Sequence, residues 1–142
     1  MKVEHILQAK GSDVFTVRDT ATIAEAVGLL AEKNIGAVVV KNGSGGVAGI
    51  LSERDIVRRL KSQGADVLSA RVSSCMTATV ITCDPGDSID DLMAKMSKRR
   101  IRHLPVVENG ALVGLVSIGD VVKRKIEEAE QEAATLREYI SS

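Results

Sequence analysis

The chain repeats itself, and that repeat restricts its possible folds more than any other feature. An offset of 66 residues places Val14-Phe15-Thr16 on Val80-Ile81-Thr82, Thr22-Ile23 on Ser88-Ile89 and Ile35 on Ile101. After a one-residue gap Asn42-Gly43 falls on Asn109-Gly110. A two-residue insertion in the Gly43 to Gly46 stretch then sets Gly49-Ile50-Leu51-Ser52 on Gly114-Leu115-Val116-Ser117 and Asp55-Ile56-Val57 on Asp120-Val121-Val122. The lead-ins, Val3 to Leu7 and Val72 to Met76, correspond loosely. One copy of about 60 residues buries only a modest core, so the two are expected to pack on each other as a pseudo-twofold module. Such packing leaves two related clefts, the kind of place where small ligands bind.

Each copy reads as strand, helix, strand, turn, strand, helix, an α/β unit. Ile23, Ala26, Val27 and Leu30 recur at helical spacing behind Thr22 as N-cap, with Glu25 three residues on; Ser88 and Asp91 repeat that start before Ile89, Leu92, Met93 and Met96. Ala37 to Val40 and Val47 to Leu51 flank the turn cluster Asn42-Gly43-Ser44-Gly45-Gly46, and Leu104 to Val107 and Leu112 to Ser117 flank Asn109-Gly110. The expected division is a first repeat over 1–68, a second over 69–126 and a helical extension over 127–142.

Composition excludes several function classes. Nineteen Lys plus Arg balance nineteen Asp plus Glu, with neither half strongly one-signed, so general affinity for nucleic acid or an anionic membrane is not expected. One Phe, one Tyr and no Trp stand against 40 branched aliphatics, so the core is aliphatic and no aromatic platform exists for stacked bases. The apolar runs are too short to span a bilayer, and Met1-Lys2-Val3-Glu4 does not begin an export signal. Cys75 and Cys83 match neither a redox nor a zinc spacing, which reads as free thiols in a reducing, cytoplasmic compartment. No two of His5, His103, Cys75 and Cys83 are spaced as local metal ligands. No Gly-x-Ser-x-Gly elbow, P-loop or Gly-x-Gly-x-x-Gly is present, so neither a metal site nor catalysis is expected.

The pairs Ser52 with Asp55 and Ser117 with Asp120 stand where a strand turns into a helix. Two readings fit. The pair is a capping box that satisfies orphan backbone amides. Alternatively, the carboxylate accepts hydrogen bonds from the vicinal hydroxyls of a ribose while the helix N-terminus faces a phosphate.

Gly49-Ile50-Leu51-Ser52-Glu53-Arg54-Asp55-Ile56, Arg102-His103-Leu104-Pro105-Val106-Val107 and Val113-Gly114-Leu115-Val116-Ser117-Ile118-Gly119-Asp120-Val121 resemble the cystathionine-β-synthase (CBS) domain, here as a tandem pair or Bateman module covering nearly the whole chain. More closely, the chain resembles stand-alone bacterial pairs. The resemblance implies a β-α-β-β-α fold in each copy, an adenosyl nucleotide (AMP, ATP or NAD(H)) in the inter-copy clefts, and a disc-shaped homodimer. It implies ribose contacts from Asp55 and Asp120 beside Ser52 and Ser117, and a phosphate contact from Arg54. It also implies a cleft lining drawn from Thr16, Ile81, Thr82, Leu104 and Pro105, an anion or base contact from Arg102 and His103, and backbone contacts to the purine at Gly36 and Ala37. Copy two has Gly119 where copy one has Arg54, so the Asp55 cleft is expected to hold the more anionic ligand, or to hold it more tightly. Lys98 and Arg99 read as cations capping a helix C-terminus.

After Asp120, the residues Val122, Ile126, Ala129, Ala133, Leu136 and Ile140 form a heptad seam. It either packs on its own domain or pairs with the same helix of a second chain. The reading is a non-catalytic sensor of adenosyl nucleotides that signals to an unidentified partner through a change of shape. Its rivals are a ligand-free structural adaptor and a redox enzyme using NAD(H) with a cysteine thiol.

Overall fold

The computed structural model of the protein describes residues 1–11, 13–78 and 80–141. In chain order the elements are α1 (Val3–Lys10), β1 (Thr16–Arg18), α2 (Ile23–Lys33), β2 (Ala37–Lys41), β3 (Val47–Ser52), α3 (Glu53–Gln63), α4 (Ile89–Arg99), β4 (His103–Glu108), β5 (Ala111–Ser117) and α5 (Ile118–Ser141). Two 3-10 turns, Gly64–Ser69 and Val72–Ser74, lie between α3 and α4.

Helix starts follow from their caps. Thr22 Oγ1 accepts from the Glu25 amide at 3.2 Å and Ser88 Oγ from the Asp91 amide at 3.0 Å, so each helix begins where a hydroxyl relieves an orphan N–H. The matching C-termini also agree: Asn34 (φ 53°) and Arg100 (φ 54°) are both left-handed, and Ile35 and Ile101 donate back to Leu30 and Met96.

In the first sheet β1 runs parallel to β2, with Thr16 opposite Val39, and β2 runs antiparallel to β3, with Ala37 opposite Ser52. The second sheet has only the antiparallel pair β4 and β5, with His103 opposite Ser117. The strand expected at Val80 to Thr82 does not form. Cys83 alone makes a parallel bridge to Val106, its N–H donating to the Pro105 carbonyl and its carbonyl accepting from Val107. Asp84-Pro85-Gly86-Asp87 follows at once: the Asp84 N–H donates to the Asp87 carboxylate and the Asp87 N–H to the Asp84 carbonyl. This Asx turn, built around a proline without an N–H, ends the ladder after one bridge.

Two aliphatic cores result. Ile23, Ala26, Leu30, Val38, Val40, Leu51 and Ile56 form one; Ile89, Leu92, Met96, Leu104, Val106, Val116 and Val121 form the other. The lead-ins cross between them. Val3 and Ile6 of α1 complete the second core, while Val67, Val72 and Cys75 complete the first. A line drawn at residue 68 is therefore crossed in space by both lead-ins, which ties the repeats into one unit. Helix α5 runs without a break through residue 126 and docks through Val121, which is fully buried. Its heptad seam is not packed on its own domain: Val122, Ile126, Leu136 and Ile140 are all exposed.

Candidate functional site

A cleft of about 370 Å³ opens between the repeats at the junction of β3 and α3. The first repeat contributes Gly36, Ile50, Ser52, Glu53, Arg54, Asp55 and Arg58; the second side contributes Thr77, Val80, Ile81, Arg100, Ile101, Arg102 and His103. Its apolar walls are aliphatic, from Ile50, Val80, Ile81 and Ile101.

Ser52 caps α3 reciprocally with Asp55. The Asp55 amide donates to Ser52 Oγ at 3.3 Å, while Asp55 Oδ2 accepts from the Ser52 amide at 3.0 Å and from Ser52 Oγ at 3.1 Å. The capping reading is thus realised, and it leaves room for the other. Among the described residues no further group bonds this half-buried carboxylate, so its second oxygen is available to a ligand hydroxyl. Arg54, Arg58, Arg100 and Arg102 surround it with positive charge suited to phosphate oxygens.

His103 has a different part. Burial, then the Lys10 and Arg102 cations, hold its imidazole below its usual range, against the opposing pull of Asp120 and Glu53. It is therefore neutral near pH 7 rather than a cation.

The related position in the second repeat is built and occupied differently. The Ser117 amide donates to Asp120 Oδ2 at 2.9 Å and the Asp120 amide to Ser117 Oγ at 3.2 Å. The Lys10 ammonium also donates to Asp120 Oδ2, at 2.7 Å, and to the Leu115 carbonyl at 3.0 Å. Burial raises the Asp120 pKa, but the hydrogen bonds from Lys10 and Ser117 outweigh it and hold the carboxyl below its usual range. By the sequence offset Arg100, Arg102, His103, Arg54 and Arg58 correspond to Asn34, Gly36, Ala37, Gly119 and Lys123. The four arginines thus face four uncharged or cationic counterparts of which only Lys123 carries charge.

Of the residues expected at the site, the structure gathers Gly36, Ser52, Arg54, Asp55, Ile81, Arg102 and His103 in one cleft. Thr16 lies in β1 on the other sheet edge, and Thr82 accepts a hydrogen bond from Lys95 through its carbonyl. Ala37, Leu104 and Pro105 are buried in β2 and β4 and are not among the residues that line the cleft. Ser117 and Asp120 stand at the second position with Lys10. Glu53, Arg58 and Thr77 went unread in the sequence. Arg58 was findable, because it follows Arg54 by four residues on one helix face.

Among the described residues no group of three or more His, Cys, Asp or Glu is placed to hold a metal, and no helix is long and apolar enough to cross a membrane. Cys75 and Cys83 are both buried and free, and burial, with Asp87 nearby, pushes the Cys83 thiol up to about 12.

The family model for the CBS domain matches residues 4–62 and 72–127, which includes both serine-aspartate pairs. The chain belongs to the CBS-domain family. The CBS-domain containing protein ATU1752 of Agrobacterium tumefaciens superposes with a TM-score of 0.85 at 47% identity, over 87% of this chain and 92% of that one. The CBS domain pair of protein MJ0100, solved in complex with 5′-methylthioadenosine and S-adenosyl-L-methionine, superposes with a TM-score of 0.80 at 26% identity, over 90% of this chain and 98% of that one. The mitochondrial CBS domain-containing protein CBSX3 of Arabidopsis thaliana is 38% identical over 136 residues, 93% of this chain; the chain spans 66% of CBSX3. The CBS pair fold and its two-repeat organisation are thus shared with these relatives.

Proposed function

We propose that this CBS pair is a regulatory module that binds an adenosine nucleotide (AMP, ATP or NAD(H)) in the Asp55 cleft and signals to a partner protein through a change of shape. The observation that carries this reading is the Asp55 cleft itself. A half-buried carboxylate with a free oxygen stands at a helix N-terminus, between aliphatic walls and four arginines. The carboxylate suits a ribose diol, the aliphatic walls suit a purine, and the arginines suit phosphates. Protein MJ0100, a CBS pair of the same fold, was solved with two adenosine-containing ligands, which supports the ligand class.

The module works as a homodimer in this reading. Val57 and Leu60 on α3 and Ile118, Val122 and Ile126 on α5 are exposed, and Val57 and Val122 occupy matching positions of the two repeats. A ligand moves such an assembly only by binding one of its shapes better than another. The reading is regulatory rather than catalytic, in a reducing, cytoplasmic setting where two buried thiols stay free. The exposed seam on α5 favours a second reading, a ligand-free adaptor that docks a partner there.

Thermal unfolding with AMP, ATP and NAD separates the two. A nucleotide at 100 times its dissociation constant stabilises the fold by about 2.7 kcal/mol, and Asp55→Ala should abolish that gain. A folded protein with no shift from any of the three would overturn the nucleotide reading in favour of the adaptor.

A further inference from the structure

The two serine-aspartate positions of the pair differ in one contact that the repeat does not predict. Among the described residues, both aspartates are bonded through Oδ2 and leave Oδ1 open, but Asp55 Oδ2 is held only by Ser52, whereas Asp120 Oδ2 also holds the Lys10 ammonium at 2.7 Å. Lys10 is the last residue of α1, and α1 is fixed in the second core by the fully buried Val3 and the nearly buried Ile6. The ammonium reaches over β5 to the Leu115 carbonyl as well, so two oxygens of the second repeat hold it in place. Neither partner is fully solvated, with side-chain exposures of 37% for Lys10 and 24% for Asp120. The second lead-in, Val72 to Thr82, contains no lysine or arginine that could do the same for Asp55.

A ribose hydroxyl brings the carboxylate a hydrogen bond from a neutral donor. An ammonium brings a hydrogen bond and an opposite charge together. A nucleoside entering at Asp120 therefore meets a carboxylate whose charge Lys10 already pairs, and the residue that corresponds to Arg54 there is Gly119.

We infer that Lys10 determines which cleft takes the nucleotide: it stands in for the ribose at Asp120 and leaves Asp55 as the single working site of the chain. The inference rests on the nucleotide reading above and adds to it the stoichiometry and the residue that sets it.

Titration calorimetry with AMP tests it on the full chain. Wild type should bind one equivalent, lost in Asp55→Ala. Lys10→Met should bind a second equivalent about tenfold more tightly than wild type does at that cleft, a difference of about 1.4 kcal/mol. Adding Asp120→Ala to Lys10→Met should return the count to one. Wild type binding two equivalents alike, or Lys10→Met still binding one, would overturn the role of Lys10 and leave the Asp55 site standing. If wild type binds no AMP but Lys10→Met binds an equivalent that Asp120→Ala removes, the Asp55 reading fails and the role of Lys10 holds. Absence of binding in every variant overturns both.

Discussion

Leu7 fills the space above Gly114: a Cβ on that glycine would stand 2.6 Å from Leu7 Cδ2 and 3.0 Å from Cδ1. The other repeat has the same arrangement. Met76, which corresponds to Leu7, lies over Gly49, where a Cβ would stand 2.8 Å from Met76 Sδ. These two contacts seat each lead-in on the opposite repeat's sheet, and they differ in how far they can yield. A Cβ on Gly49 would also stand 2.6 Å from the Thr77 carbonyl oxygen, and Thr77 is paired with Ile50 in both directions.

The two glycine substitutions should therefore have unequal effects. Overpacking typically destabilises by about 1–3 kcal/mol. Gly114→Ala should fall near the low end, because Leu7 can change rotamer, and Gly49→Ala at or beyond the high end, because the paired backbone cannot retreat. Urea unfolding of the two variants measures the difference, and equal losses would show that the Thr77 backbone moves freely.

Acid should destabilise the protein in two separable steps. The folded-state pKa of His103 lies below its ordinary 6.5, so the unfolded chain binds more protons as pH falls from 6.5 through that lowered value, and stability declines over that window. Asp120 is held below its ordinary 3.8, so its contribution is present above 3.8 and lost as pH falls through the lowered value. His103→Gln should flatten the first limb and leave the second. Lys10→Met should weaken the second, and it should also lessen the first because the Lys10 cation is one of the groups that depress His103. Chemical denaturation at a series of pH values follows both; an unchanged first limb in His103→Gln would assign it to another group.

The sequence made the repeat, both hairpins, four of the helix caps and the Asp55 cleft legible, because each is encoded locally: Ser-x-x-Asp, Asn-Gly, helical spacing, and the identity of a few residues at a strand end. The missing strand at Val80 to Thr82 was obscured because β propensity favoured it, while the decisive influence was the Asp84-Pro85 turn just beyond. Exchange of the lead-ins and the Lys10–Asp120 pair were not legible at all. Lys10 and Asp120 are 110 residues apart, and no local pattern reports which repeat an amphipathic helix such as α1 will pack against.

The exposed residues of α3 and α5 should carry self-association. Val122 and Ile126 contribute little to the single chain's core, so Val122→Lys with Ile126→Lys should change unfolding stability by no more than about 0.5 kcal/mol while weakening the proposed self-association at least about tenfold, because each charge would enter an apolar interface. Truncation after Ile126, which removes Leu136 and Ile140, should weaken it as well. Sedimentation velocity over a range of concentrations reports both, and a mass unchanged by the double substitution would place the contact elsewhere.

Arg100 is where the cleft and the fold make opposing demands. The helix-ending position needs a left-handed backbone, with φ at 54°, which suits asparagine or glycine and costs a bulkier side chain about 1 kcal/mol. The first repeat meets that demand with Asn34; the second uses an arginine and points it into the Asp55 cleft. Strain retained at a cleft-lining residue fits a functional demand that outweighs it. Arg100→Gly should accordingly raise unfolding stability by up to about 1 kcal/mol, since the helix end relaxes and little packing is lost. The same variant should weaken ATP binding by about tenfold or more, the scale of one charged phosphate contact, and should weaken adenosine binding hardly at all. Asn34→Gly serves as the control, expected to leave ATP affinity unchanged. Paired measurements of unfolding and of ATP and adenosine titrations decide it: if Arg100→Gly is stabilised with full ATP affinity, the arginine's charge is not used by the phosphates.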